Sequence, residues 1–353
     1  MDNYICRPNE DSSTTYRYQK GSGGVDFFCG DALNLYSKWT SPTIIMSDGP
    51  YGVSGFPGDL HNPRALPEWY LPHVLEWSKF ATPITTLWFW NTEIGWASVH
   101  PILEEQGWDY VSCCVWNKGL SHVAGNVNTK TIRHLPIVTE VCVQYVKRPI
   151  FECDGKKLNM QEWLRQEWKR TDLPLCLTNE VCGVKNAATR KYFTGCHLWY
   201  MPPAEAFEKI VKYANSHGRK EGRPFFSIDG KEPLSGQQWE RLRAKFHCPF
   251  GVTNVWDEPQ LRNLERLKIK NRALHFNQKP KNLIKRILEM SSDIGDVVWD
   301  PFAGLCSVAS ACLELQRKCY CSEIRQDMFS HAKERLLLDI HERNQSIFQN
   351  LVI

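Results

Sequence analysis

Val297-Val298-Trp299-Asp300-Pro301-Phe302-Ala303-Gly304-Leu305-Cys306-Ser307 is an apolar, β-favouring run that ends on an acid and breaks at once into a turn containing proline and glycine. SVASACLELQR (307–317) follows, rich in the small residues that let a helix pack closely on a sheet. A strand, a turn and a helix with an acid at the strand end are the grammar of an open α/β sheet, whose ligands sit beyond the carboxyl ends of the strands. Small residues at this junction, Gly304 among them, let a ligand approach the backbone and meet the helix N-terminus. KCYCSEI (318–324) supplies the next strand, and its Glu323 stands 23 positions after Asp300, where a carboxylate can accept hydrogen bonds from both hydroxyls of a ribose. The pattern predicts a nucleoside site, with a plain strand-turn-helix as the alternative reading. G-x-G-x-x-G, the usual mark of a nicotinamide dinucleotide site, is absent from the sequence, which disfavours a dehydrogenase.

Outward from this stretch, the same grammar recurs. Thr43-Ile44-Ile45-Met46 runs into Ser47-Asp48-Gly49-Pro50-Tyr51-Gly52, a second strand end carrying an acid, a rigid turn and an aromatic ring; Asp-Gly and Gly-Pro are also ordinary turn dipeptides. VDFFCGDAL, TTLWFWN, YVSCCVWNKG and EVCVQYVK read as further strands, while PEWYLPHVLEWSKF and SVHPILEEQGW have helical spacing, with Pro67 suited to a first turn. KPKNLIKRILEMSS opens on Pro280 and sets Leu283, Ile284, Ile287 and Leu288 on one helical face. The fold class expected is α/β, a doubly wound and mostly parallel sheet. Residues 149–255 break the alternation, being basic and holding several Trp and Pro, so they are expected to be an inserted module between segments 1–148 and 256–353.

The 353 residues carry 43 Lys and Arg against 39 Asp and Glu, a balance too mild to identify a partner. Its distribution is more informative: Lys147 to Lys245 holds 19 basic and 12 acidic residues, leaving 24 and 27 elsewhere. No apolar run approaches the roughly 18 to 20 residues that span a bilayer, and the polar N-terminus has no signal core, so a cytoplasmic location without a membrane partner is expected. The 14 cysteines form no CxxC pair, so no metal site is expected and the thiols read as reduced, mostly buried side chains.

The order of these motifs resembles that of the amino-group DNA methyltransferases of the permuted β class. That family carries a D/N/S-P-P-Y motif, then an H-P-T-Q-K-P-like motif, then D-P-F-x-G-S-G; here Asp48-Gly49-Pro50-Tyr51, His275-Phe276-Asn277-Gln278-Lys279-Pro280 and Asp300 to Ser307 follow in the same order. Phe28-Cys29-Gly30-Asp31 is similar to its G-D element, Trp116-Asn117-Lys118 to its W-x-K strand, Glu140 to its strand opening on an acid, and Val255-Trp256-Asp257-Glu258-Pro259 to its V-W-x-x-P segment. Two positions depart from the pattern. The first Pro after the acid is Gly49, and the second Gly of the last turn is Cys306, a residue for which positive φ is strained.

The resemblance implies a Rossmann-like methyltransferase fold in permuted order with an inserted target-recognition module, S-adenosylmethionine as cofactor and double-stranded DNA as substrate. It implies that Asp48 and the Gly49 carbonyl accept the two protons of an adenine N6 amine, with Pro50 shaping the turn and Tyr51 stacking on the everted base. For the cofactor it implies Asp31 on the adenine amine, Glu323 on the ribose, Asp300 and Phe302 around the methionine portion beside Gly304, and Gln278 or Lys279 near the carboxylate. Ser47 precedes the acid directly, so a shift of one residue in alignment leaves N4-cytosine as an alternative.

In the insert, Leu177 to Phe193 reads as a short helix, a turn at Gly183 and a second helix whose start carries Lys185, Asn186, Arg190 and Lys191, candidates for DNA contact. A packed surface helix pair is the alternative. The loops 54–67 and 119–136, the latter with Lys130 and Arg133, are expected to close over an everted base. A bacterial, archaeal or phage origin, a nucleoid location, a cognate restriction endonuclease and a homodimer complete what the resemblance suggests. The rival classes are a catalytically silent DNA-binding relative, a nucleotide-dependent oxidoreductase, and a methyltransferase acting on RNA or protein.

Overall fold

A computed structural model describes residues 14–54, 59–120, 130–153, 155–219, 222–261, 268–269, 272–273 and 278–350. The chain divides into two units, residues 1–147 with 244–353, and residues 148–243. Residues 244–255, grouped with the insert on sequence, therefore lie in the first unit.

The first unit is built on nine strands: β1 (Thr15–Lys20), β2 (Gly23–Cys29), β3 (Ile44–Ser47), β4 (Thr86–Asn91), β5 (Trp108–Asn117), β6 (Thr139–Lys147), β9 (Val255–Asp257), β12 (Val297–Asp300) and β13 (Lys318–Glu323). They lie in the order β1-β2-β13-β12-β3-β4-β6-β5-β9. The five from β2 to β4 are mutually parallel, and the outer pairs β1/β2, β4/β6 and β6/β5 are antiparallel. β12 and β13 come late in the chain yet sit between β2 and β3, which is the permuted order. β13 lies on one side of β12 and β3 on the other, so the winding reverses between β12 and β3. That reversal opens a crevice at their carboxyl ends.

Both faces of the sheet are covered because its central strands are apolar without interruption. Ile44, Met46, Trp88, Trp90 and Val298 face helices α7 (Lys281–Ser291), α8 (Ser307–Glu314) and α9 (Gln326–Asn350). The alternate residues Ile45, Leu87, Phe89 and Trp299 face α1 (Leu66–Phe80) and α2 (Glu93–Glu105). Period-two side-chain alternation across strands buried on both sides explains why these runs show no polar face. Leu283, Ile284, Ile287 and Leu288 are all buried, as their helical spacing predicts. A two-stranded ribbon, β10 (Lys268–Ile269) and β11 (Arg272–Ala273), precedes α7.

The second unit has a separate core. The hairpin β7 (Phe151–Cys153) and β8 (Lys156–Leu158) packs with α3 (Met160–Arg170), α4 (Leu177–Val181), α5 (Ala204–His217) and α6 (Gly236–Glu240) around Trp163, Trp168, Phe207, Phe226 and Trp239. Asn159 and Glu162 form a capping box on α3, and Ser235 and Gln238 one on α6. Glu167 is fully buried but engaged by Arg170, Arg223 and the N–H of Phe226, which compensates the burial of its charge. The helix expected after Gly183 is one π turn, Ala188–Tyr192; Asn179 Oδ1 accepts the N–H groups of Ala188 and Thr189 and fixes its start. Among the described residues no helix is long and apolar enough to cross a membrane, and no cluster of three or more His, Cys, Asp and Glu could hold a metal.

Candidate active site

Asp300 ends β12 and Asp48 follows β3, so adjacent parallel strands deliver both acids to the crevice. The cleft there is lined by Met46, Asp48, Trp90, Lys279, Asp300 and Phe302, with Gly304 and Leu305 at its edge. Asp300 is buried, which raises its carboxyl well above the usual range; Cys319 and Asp48 add to the rise, and the Phe302 N–H opposes it. Ser47, by contrast, is wholly buried as the last residue of β3.

The loop after Asp48 is held by groups far along the chain. The Pro50 carbonyl accepts from Tyr70 Oη (3.1 Å) and Asn91 Nδ2 (3.0 Å). Asp59 Oδ1 accepts the N–H groups of Tyr51 (2.9 Å), Gly52 (2.8 Å) and Leu60 (2.7 Å), with Gly52 in the left-handed region at φ 71°. Gly49 has no room for a side chain: a Cβ would lie 2.6 Å from Tyr70 Oη and 2.9 Å from the Phe302 ring. The glycine at this departure from the family pattern is thus required by its surroundings.

A chain of alternating charges runs behind the loop. Tyr51 Oη donates to Asp48 Oδ1 (2.9 Å) and approaches Glu140 Oε2 (3.2 Å), and Lys279 Nζ lies 2.8 and 3.0 Å from the two Asp48 oxygens and 3.4 Å from Glu140. Lys118 forms the far end, paired with Glu140. Burial alone would raise the Glu140 carboxyl, but the Lys279 and Lys118 ammonium groups hold it below the usual value. Burial alone would lower the Lys279 ammonium, and Asp48 and Glu140 more than offset this, holding it above its usual value. Two acids and two bases in contact keep the buried charge balanced, which makes their burial tolerable.

Beyond β12, Glu323 at the end of β13 is a third acid, joined to the cleft through Gly304. Its Oε2 accepts the Gly304 N–H (3.1 Å) and its Oε1 the Arg325 N–H (2.9 Å), leaving each oxygen a further lone pair. Burial raises this carboxyl, and those two backbone bonds oppose the rise. Gly304 stands at φ 49° and Cys306 at φ 57°, so the thiol-bearing residue adopts the left-handed conformation in which the family pattern has glycine. Asp31, next to the end of β2, caps a short 3-10 turn through the Leu33 N–H.

A family model described as DNA methylase, of the N6/N4 type, matches residues 43–334. The chain belongs to that family. Within it, the chain is similar to the DNA adenine methyltransferase YhdJ of Escherichia coli (strain K12), 36% identical over 88 residues, 25% of this chain and 29% of that protein. The type II methyltransferase M.HpaI of Haemophilus parainfluenzae is 36% identical over 84 residues (24% and 26%), and M.BglII of Bacillus subtilis 28% over 166 residues (46% and 41%). The chain thus spans less than half the length of each of these curated relatives. Among solved structures, TTHA0409 of Thermus thermophilus aligns with TM-score 0.45 and 15% identity, covering 89% of this chain and 94% of that one. The PvuII cytosine-N4 DNA methyltransferase aligns with TM-score 0.48 and 10% identity over 89% and 90%.

In this member of the family, Asp48, Gly49, Pro50, Asp300, Phe302, Gly304, Gln278 and Lys279 come together around or beside one crevice, with Glu323 bonded to its rim at Gly304. Three side chains sit otherwise than expected. Lys279, expected beside a cofactor carboxylate, is engaged by Asp48 and Glu140. Gln278 turns its amide oxygen to the Arg335 guanidinium (3.0 and 3.1 Å), which also donates to the Leu305 carbonyl (2.9 Å). Tyr51 is buried, with the Lys279 ammonium 5.1 Å over its ring. Lys130 and Arg133 are exposed in the first unit, and Lys185, Asn186, Arg190 and Lys191 are exposed in the second. His275, Phe276, Asn277, residues 55–58 and 121–129 lie outside the described residues. Sequence reasoning missed Asp59, Tyr70 and Arg335, which sit in no recognisable motif, and the role of Lys118, whose W-x-K motif does not reveal its partner Glu140; each acts on a partner distant in sequence or through a backbone group.

Proposed function

We propose that this chain transfers a methyl group from S-adenosylmethionine to the N6 amine of adenine in double-stranded DNA. The observation that carries the reading is the placing of Asp48, not Ser47, beyond the end of β3 with its carboxylate in the crevice shared with Asp300. A Ser in the acid's place would suit cytosine N4, but Ser47 is wholly buried within the strand.

The residues present fit the methyl donor. Glu323 keeps two lone pairs for ribose hydroxyls, Gly304 lets a ligand lie against the backbone, and the Asp48 carboxylate lines the same cleft, an anion that suits a sulphonium. When bound, S-adenosylmethionine supplies an activated methyl group. Glu323 would hold its ribose and Asp31 its adenine, with Asp300 and Phe302 around the methionine portion.

The exocyclic amine of adenine is a poor nucleophile because its lone pair is delocalised into the ring. Asp48 accepts one N6 proton and the Gly49 carbonyl the other, which localises the lone pair and stabilises the positive charge that develops on nitrogen. The Asp59 and Tyr70 contacts hold this loop before the base arrives, so little reorganisation remains. The base must leave the duplex to reach this depth. Lys185, Asn186, Arg190 and Lys191 of the second unit, with Lys130 and Arg133, contact the DNA, and a restriction endonuclease of matching specificity is a natural partner.

Sequencing with modified-base detection, on DNA from a methylation-free host expressing this chain, tests the reading. N6-methyladenine at one defined site is expected. N4-methylcytosine in its place would replace adenine as the target, and unmodified DNA would remove the activity.

A further inference from the structure

Lys279 holds three things that an everted aminated base would need. Its ammonium spans both oxygens of Asp48, lies 5.1 Å over the Tyr51 ring and lies 5.3 Å over the Trp90 ring. It is itself buried, and a second acceptor, Glu140, stands 3.4 Å away. Resting on the reading of Asp48 as the acceptor of the target amine, we infer that Lys279 is a positioning residue and the resident donor of the amine site. It occupies the Asp48 oxygens and the aromatic face while the site is empty, and passes to Glu140 when the base enters.

The exchange conserves charge and hydrogen bonds. Lys279 leaves one carboxylate for another, the target amine takes its bonds at Asp48, and no proton is transferred. Lys118 already neutralises Glu140, and Tyr51 Oη lies within reach of both carboxylates, so the ammonium has a short path between them. Among the described residues, the groups facing Asp48 are Lys279 from the segment before α7, Tyr51 on its own loop, Glu140 and Cys142 from β6, Tyr70 from α1 and Asp300 from β12. Lys279 is the one cation among them, so an uncharged replacement leaves Asp48 among acids, phenols and a thiol. Glu140, whose carboxyl Lys279 helps to hold below its usual value, then takes up its proton at higher pH.

The test compares Lys279→Met and Lys279→Gln with Lys279→Arg, using tritiated S-adenosylmethionine and DNA from a methylation-free host across pH 5 to 9. Either neutral variant should move the acidic limb of kcat upward by about one pH unit, because an opposite charge at this distance is worth that much or more. KM for DNA should fall in the same variants, since the base no longer displaces a resident donor. Lys279→Arg should restore the limb, and the dissociation constant of S-adenosylmethionine should stay as in the wild type. A neutral variant whose limb and KM match the wild type overturns the inference. A carbon-13 titration of the Glu140 carboxyl in the resting protein gives a readout independent of turnover: it should move up in Lys279→Met and not in Lys279→Arg, and an unmoved signal overturns the arrangement. A wild type that methylates no DNA overturns instead the reading on which the inference rests.

Discussion

At the residue scale, the proposed function divides the chemistry between Asp48 at the acceptor and Glu323 at the donor. Asp48→Ala should lower kcat by a factor of about a hundred or more, the range found when a preorganised electrostatic partner is removed, with S-adenosylmethionine affinity preserved in calorimetry. Glu323→Ala should do the reverse, weakening donor binding while the acceptor loop remains intact. The two departures from the family pattern also make opposite predictions. Gly49→Ala drives a methyl into Tyr70 and Phe302 and should destabilise by about 1–3 kcal/mol in urea unfolding, the range for overpacking. Cys306→Gly relieves left-handed strain of about 1–2 kcal/mol. Loss of a wholly buried thiol opposes that gain, so the net change in urea unfolding should be under about 1 kcal/mol.

At the scale of elements, α1 carries a pH-sensitive contact beside Phe302. His73 is buried and its pKa is lowered to about 4, first by burial, with Asp31 opposing. Trp77 Nε1 donates to Tyr36 Oη (2.8 Å), which shares a hydrogen bond with His73 Nδ1 (2.9 Å), and the lowered pKa keeps the ring neutral near pH 7. A histidine whose folded pKa lies below its unfolded value binds fewer protons when folded. Stability is therefore complete above about pH 6.5 and declines as pH falls toward 4, by up to about 3 kcal/mol. Urea unfolding of the wild type and His73→Phe at pH 7 and pH 4.5 should show the variant losing less over that interval.

The elements themselves were largely legible. Ile44-Ile45-Met46 and Val297-Val298-Trp299 announce strands buried on both faces, and the spacing of Leu283, Ile284, Ile287 and Leu288 announces α7, because local periodicity reports directly on burial. The acids at the ends of β3 and β12 were legible for the same reason: a strand end is a local event. Lys279 was not, because its partner Asp48 lies 231 positions away and nothing local distinguishes a lysine before a helix from a solvated one. The π turn at Ala188–Tyr192 was equally hidden, since it depends on Asn179 reaching forward to the Ala188 and Thr189 N–H groups.

At the scale of the whole molecule, the basic second unit and the sheet that bears the acids are built independently. Each has its own core, so charge can be removed from the former without touching the latter. Replacing Lys185, Arg190 and Lys191 together by Ala should weaken DNA binding at low salt and reduce the slope of log affinity against log salt by about 2–3, roughly 0.9 for each phosphate no longer neutralised. Fluorescence anisotropy over a salt series measures this, and an unchanged slope would show that these side chains touch no phosphate.

The pairing of Ile44 with Val298 and of Ile45 with Trp299 joins β3 to a strand some 250 positions later. During synthesis the loop after β3 leaves the ribosome long before the turn after β12 does, and the seam between them cannot close until β12 has emerged. On the proposed function, a nascent or truncated polypeptide lacking that late strand would transfer no methyl group, however well its earlier portion has folded.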